Sequence, residues 1–328
     1  MNKNNKKRMR ITTMLLKTLC FVSILITFSC TTDETQTVAT FTNLVMADEF
    51  DIEGAPDSDI WNYDIGTGPN SDGWGNNELQ YYTNRSENVT VQNGLLVISA
   101  IEEDYNGASF TSAKLLTKGK FEQAYGRFEA RIKVPGGSGL WPAFWLLGEN
   151  SDVDGWPQCG EIDIMEYRRQ EPTLVSGSIH GPGYSGETDP QGQVTKSYDL
   201  GNDRFDAGFH VFGIEWGPEY INYYIDDVLY NQITPSDIEV TPTDAIYTLN
   251  DAVEAVEAME ATEDTPAVEA VEAVEATVIT GDWVFNKPFY IIINLAVGGN
   301  FPGNPDSGET FPHNMLVDYV RVYKNSNN

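Results

Sequence analysis

The feature that most narrows the fold is a succession of short segments, alternating or apolar, each closed by glycine, proline or asparagine. LLVISA (95–100), GRFEARIKV (126–134), WPAFWLLG (141–148), EIDIMEY (161–167), INYYIDDVLY (221–230), FYIIINLAV (289–297) and LVDYVRVY (316–323) all read as strands. A period of two sends successive side chains to opposite faces of a pleated sheet, and no stretch of similar length carries the apolar stripe of a helix. Turn signals between nearly all of these runs argue for an all-β sandwich or barrel. One domain, residues 44–328, accommodates them.

Two segments depart from this pattern. The chain opens with MNKNNKKRMR, followed by an apolar run from Ile11 to Ser29 broken by Lys17, and then Cys30. A charged start with a short apolar middle reads as an export signal over residues 1–29, too short and too interrupted to span a membrane. Ile26, Thr27, Phe28 and Ser29 resemble the cleavage box of bacterial lipoproteins, which would make Cys30 the lipidated residue and 30–43 a polar tether. The expected location is the cell envelope or cell surface, or the medium if Cys30 carries no lipid. The second departure, DAVEAVEAMEATEDTPAVEAVEAVEAT (251–277), is an acidic Val-Glu-Ala repeat. A period of three drifts around a helix of 3.6 residues per turn, and Pro266 interrupts it, so it reads as a solvated low-complexity insertion in a loop.

Charge excludes several partners. With 20 Lys and Arg against 49 Asp and Glu, the formal net charge is -29. Such a chain repels nucleic acid and anionic lipid alike, so the N-terminal lipid is the only membrane contact expected. Cys20, Cys30 and Cys159 are the only cysteines. They supply no disulfide framework.

The chemistry is expected in GEIDIMEY, residues 160–167. On a regular strand Glu161 and Asp163 share a face while Glu166, an odd number of steps away, faces the other side. One extra residue, a β-bulge around Ile164 or Met165, brings Glu166 back to the face of the other two. Leaning inward, Glu161 and Glu166 then approach the separation of about 5–5.5 Å used by retaining glycosidases. With Asp163 between them, like charges raise one pKa, keeping Glu166 protonated as general acid while Glu161 stays ionised. A solvated surface and a cation site are the plainer readings of an acidic strand face.

The neighbouring segments favour the catalytic reading. In WPAFWLLG, alternation places Trp141, Ala143 and Trp145 on one face and Pro142, Phe144 and Leu146 on the other, and flat indole rings suit stacking on sugar C–H faces. In GRFEARIKV, Phe128, Ala130 and Ile132 turn inward and leave Arg127, Glu129, Arg131 and Lys133 on a polar face that fits a cleft or solvent.

Taken with GWGNNELQYYT (73–83), YGRFEARIKVPGGSGLWPAFWLLG (125–148), SGSIHGPGYSG (176–186) and NLAVGGNFPGNP (294–305), GEIDIMEY resembles glycoside hydrolase family 16, and within it the laminarinases that cut β-1,3-glucans. The resemblance runs from about Leu44 to Tyr323, the insertion excepted. It implies a jelly-roll β-sandwich of two antiparallel sheets with a concave cleft, and a retaining double displacement. Position by position it implies Glu161 as nucleophile, Asp163 as assisting acid and Glu166 as acid/base. It puts Asn76, Glu129, Arg131, Trp141, Trp145, His180 and Asn294 where the family contacts sugar. Arg168, Arg169, Gln170 and Phe301 depart from the residues usual in the family. No cofactor is implied for catalysis, whereas a structural Ca2+ is implied on the convex side, held by Glu49, the Gly94 backbone and Asp318.

The expected protein is therefore a monomeric endo-1,3-β-glucanase whose partner is β-glucan, with mixed-linkage β-1,3-1,4-glucan as a further substrate. The alternatives are a non-catalytic glycan-binding protein and a hydrolase of the agarase or carrageenase type. Three converging carboxylates favour a hydrolase, because a pure binder has no use for acids that repel one another and are costly to desolvate.

Overall fold

The computed structural model of the chain describes residues 41–186, 192, 194–238 and 281–325. The expected signal, Cys30, most of the tether and the Val-Glu-Ala insertion lie outside the described residues. The compact unit begins at Phe41. Phe41, Thr42 and Asn43, expected at the end of the tether, instead open the first strand, with Phe41 and Asn43 paired to Asn325 and Lys324 of the C-terminal one.

Among the described residues eighteen strands follow in chain order: β1 (Phe41–Asp48), β2 (Asn62–Tyr63), β3 (Gln80–Tyr82), β4 (Val89–Gln92), β5 (Leu95–Tyr105), β6 (Ala108–Ser112), β7 (Lys114–Leu116), β8 (Glu122–Gln123) and β9 (Gly126–Lys133), then β10 (Leu140–Gly148), β11 (Glu161–Glu166), β12 (Leu174–His180), β13 (Val194–Asp199), β14 (His210–Gly217), β15 (Tyr220–Ile225), β16 (Val228–Ile233), β17 (Phe289–Val297) and β18 (His313–Asn325). They form two sheets. A ten-stranded sheet runs β16-β15-β14-β9-β18-β5-β6-β3, with β1 on β18 and β4 on β5. An eight-stranded sheet runs β13-β12-β11-β10-β17-β7-β2, with β8 on β17. All pairings are antiparallel except that of β3 with β6. The result is a jelly-roll β-sandwich.

The core lies between the sheets. Phe128, Ala130 and Ile132 of β9 meet Phe144 and Leu146 of β10, Ile162 of β11, and Ile291 and Ile293 of β17, all fully buried. Burial of such side chains stabilises by about 1.5–3 kcal/mol each. Strand β17 is buried along its whole length, which explains why FYIIINLAV is apolar instead of alternating: core covers one face and the floor of the cleft the other.

INYYIDDVLY, expected as one strand, is a hairpin. Asp226 and Asp227 take φ values of 49° and 63° between β15 and β16, and a two-residue turn of that hand matches the twist of the flanking strands. Aspartate tolerates the left-handed region when its carboxylate finds a local partner. Asp226 Oδ1 accepts the Val211 N–H at 2.8 Å.

Candidate active site

The β11 bulge decides the site. In the β10–β11 ladder Phe144 pairs with Met165 and Trp145 with Asp163, leaving Ile164 unpaired. On the other side Asp163 pairs with Ser178 and Glu166 with Ser176, one residue out of step. Two consecutive residues, Ile164 and Met165, enter the core. The parity shift this causes puts Glu161, Asp163 and Glu166 together in one cleft of about 640 Å³ on the outer face of the eight-stranded sheet.

Alternation along β10 lines the same cleft with Trp141, Ala143, Trp145 and Leu147, while Pro142, Phe144 and Leu146 are buried in the opposite direction. Both tryptophans are tethered by their indole nitrogens. Trp141 Nε1 donates to Glu166 Oε1 at 3.0 Å, and Trp145 Nε1 donates to Asn294 Oδ1 at 2.7 Å. Asn294 Nδ2 donates in turn to Tyr82 Oη at 3.1 Å, and that hydroxyl donates to Glu78 Oε2 at 3.4 Å. Asn76 lines the cleft beside Glu78, 3.4 Å from its Oε1.

His180, opposite Glu161 on β12, is the cation of the acid cluster. Its Nε2 lies 3.1 Å from Asp163 Oδ2 and 3.9 Å from Glu161 Oε1. The Asp163 contact is close enough for ion pairing but is not aligned as a hydrogen bond. Burial works against the charged imidazole, yet the carboxylates of Asp163 and Glu161 together raise its pKa to about 10.

Although 18 % of the Glu161 side chain still touches solvent, protein surrounds the carboxyl on its other sides. Desolvation first, and the Asp163 charge second, raise both Glu161 and Glu166 to about 8. Burial therefore lifts the two glutamates together instead of separating them as like-charge repulsion alone would. Their neighbours differ. His180 favours both carboxylates, but Lys114 and the Trp156 indole act on Glu161 and the Trp141 indole on Glu166.

Among the cleft residues that escaped the sequence reading are Lys114, Trp74 and Trp156. Lys114, on β7, spans Trp74 and Trp145 with its Nζ 4.4 and 5.1 Å from the ring centroids, and pairs with Asp64 at 3.2 Å. Trp74 sits in a turn with φ 57°. Trp156, half exposed on the loop before β11, stands with its ring 6.1 Å from that of His180. All are brought in by loops or short strands, where periodicity carries no signal. Trp74 and Trp156 are marked in the sequence only as tryptophans flanked by glycine or proline, and Lys114 is not marked at all.

Two expected sugar contacts lie elsewhere. Glu129 and Arg131 are on β9 of the ten-stranded sheet, so their polar face turns away from the cleft. Glu129 pairs with Arg127 at 2.8 Å and Arg131 with Asp318 at 2.6 Å. Alternation gave the right face of the strand but could not assign the strand to a sheet. Arg131 also occupies a donor expected for calcium. Asp318 faces Arg131, and Glu49 is held by both Nε and Nη2 of Arg321, at 2.7 and 2.8 Å. Gly94 is a left-handed turn residue between β4 and β5. A calcium site needs several oxygens free of other cations. As arranged, these donors do not fit one.

The geometry finds its counterpart in known proteins. A family model described as glycosyl hydrolases family 16 matches residues 76–263. The chain belongs to glycosyl hydrolase family 16. It is 37% identical over 320 residues to a β-glucanase from Rhodothermus marinus, spanning 96% of this chain and 97% of that one. It is 36% identical over 288 residues to a glucan endo-1,3-beta-glucosidase from Cryptopygus antarcticus, spanning 84% and 90%. Among solved structures, the laminarinase catalytic domain from Thermotoga maritima MSB8 superposes with a TM-score of 0.68 at 39% identity, covering 86% of this chain and 98% of that one. Within this family 16 fold, Glu161, Asp163 and Glu166 occupy the concave face of the sandwich, on its bulged central strand.

Proposed function

We propose that the chain is a retaining endo-β-1,3-glucanase acting on laminarin-like glucan, with mixed-linkage β-1,3-1,4-glucan as a second substrate. The observation that carries this reading is the convergence of Glu161, Asp163 and Glu166 in one tryptophan-lined cleft of a family 16 fold. The Glu161 carboxylate attacks the anomeric carbon while Glu166 gives its proton to the departing glycosidic oxygen. One C–O bond breaks as the bond to Glu161 forms. Glu166 then takes a proton from water, which attacks the same carbon and releases Glu161. Two inversions give net retention. Asp163 and His180 orient Glu161, the imidazolium balances its charge, and no cofactor enters either step.

Charge supports a neutral glucan. Glu161, Asp163, Glu166, Glu78 and Asp64 line the cleft against Lys114 and His180, a balance that repels the sulfate groups of a carrageenan. The names of the relatives, β-glucanase and endo-1,3-beta-glucosidase, support the linkage. The N-terminal sequence supports export and attachment to the cell envelope through a lipid on Cys30, with the enzyme secreted if that lipid is absent.

The test is product analysis with the chain lacking residues 1–30, incubated with laminarin, mixed-linkage glucan, agarose and carrageenan beside Glu161→Gln. Short β-1,3 oligosaccharides that vanish in the variant are expected. Retained binding to a glycan without products would replace this reading with one of glycan capture.

A further inference from the structure

The loop that follows the catalytic strand reaches across the cleft end. Arg168 Nη1 donates to the Phe301 carbonyl at 3.2 Å, and its guanidinium carbon lies 4.7 Å from the centre of the Phe301 ring. Gln170 Nε2 donates to the neighbouring Pro302 carbonyl. Glu171 holds Arg168 from behind, with Oε2 2.6 Å from Nη2 and 2.7 Å from Nε. Phe301 in turn packs on Trp141, ring centroids 5.1 Å apart at 44°. The Trp141 indole N–H ends the series on Glu166 Oε1.

From this series we infer that Arg168 and Phe301 are positioning residues for the acid/base: they press Trp141 into the one orientation in which its N–H reaches Glu166, and so hold the carboxyl where the leaving oxygen will be. The inference rests on the glucanase reading above. Arg168 pins the backbone as well as the ring of Phe301, and an arginine does both because its planar fork can donate and stack at once. Among the described residues no other hydrogen-bond donor holds the Glu166 carboxyl. Asp163 and Glu161 on its own strand repel it, His180 on β12 attracts it through space, and the buried Tyr230 hydroxyl on β16 has no hydrogen-bond partner.

The test compares two substrates by kcat/KM, which reports only the steps up to the glycosyl-enzyme. Laminari-oligosaccharides need a proton on the leaving oxygen, whereas a 2,4-dinitrophenyl β-laminaribioside does not. Phe301→Leu and Arg168→Gln are expected to lower kcat/KM on the oligosaccharide about tenfold, a fraction of what a general acid supplies, and to leave the aryl glycoside within about twofold. Phe301→Trp, which keeps a flat ring on Trp141, is expected to retain most of the activity on both. Equal losses on both substrates, or no loss on either, would overturn the positioning role while leaving the glucanase reading intact. A wild-type protein that cleaves neither substrate would sink that reading and this inference with it.

Discussion

His180 Nε2 stands 3.1 Å from Asp163 Oδ2, while Nδ1 lies 2.9 Å from the Ser185 carbonyl oxygen. The carbonyl accepts a hydrogen bond from Nδ1–H, which aims Nε2 at the acids. Three carboxyl groups crowd one strand face, and the histidine is a cation that favours the ionised form of Glu161 there. Replacing it with a neutral side chain removes an attraction that favours ionised Glu161. In His180→Gln the acid limb of the kcat/KM profile, below which Glu161 is protonated, is therefore expected to move to higher pH. Activity at pH 6 should fall further than at pH 8, and an unmoved limb would show that the imidazole carries no charge in the working enzyme.

The wild-type profile should itself sit high. Burial and the Asp163 charge raise Glu161 and Glu166 to about 8. The pair works with one proton between its members, ionised nucleophile and protonated acid. As pH rises through about 8 that proton leaves and kcat/KM falls; as pH drops, Glu161 gains a proton and activity falls again. An alkaline limb near the ordinary carboxylate range would contradict the desolvation seen at the site.

The two glutamates can be told apart by stereochemistry. Glu161→Ala should lose more in kcat than Glu166→Ala, because without the nucleophile no glycosyl-enzyme forms, and Glu166→Ala should lose about 10²–10⁴. Azide enters the space left by the nucleophile in the first and yields an α-glycosyl azide. In the second it attacks the glycosyl-enzyme and yields the β-anomer. Product anomers assigned by NMR in the opposite sense would exchange the two roles.

Trp145 depends on a buried series behind it: Asn294, Tyr82 and Glu78. A hydrogen bond of this kind contributes about 1 kcal/mol net. Tyr82→Phe is expected to loosen Asn294, tilt the indole and raise KM about fivefold while changing kcat little. A matching fall in kcat would place Trp145 in the chemical step instead of in sugar binding.

Gly160 precedes Glu161 with φ 79°. A Cβ there would lie 2.8 Å from Val284 Cγ2 and 2.9 Å from Phe289 Cζ. Left-handed strain and overpacking together predict a loss of about 1–3 kcal/mol for Gly160→Ala. Thermal denaturation should show a lower Tm, and an unchanged Tm would mean that the loop around 284 yields freely.

The strands and their inward faces were legible in the sequence because a period of two is a property of neighbouring residues. The same local arithmetic exposed the odd spacing of Glu166 and the need for a bulge, and the flanking motifs marked the family. Local patterns failed where two partners lie far apart in the chain. Glu129 and Arg131 alternate as cleft residues would, yet β9 joined the other sheet. The Asp226–Asp227 turn passed for strand because two acids fit a polar face as well as a corner.

What the sequence determined by itself, then, was an all-β chain with three acids and two tryptophans on adjoining strand faces, since pleat geometry follows from the order of residues alone. Which sheet each strand entered was settled only by tertiary packing, as was the placing of Lys114 between two tryptophans. Phe301 was brought under Arg168, 133 positions earlier, in the same way. Burying apolar surface between two sheets is a global condition. It selects contacts by complementary shape and charge across hundreds of residues, where no local period records them.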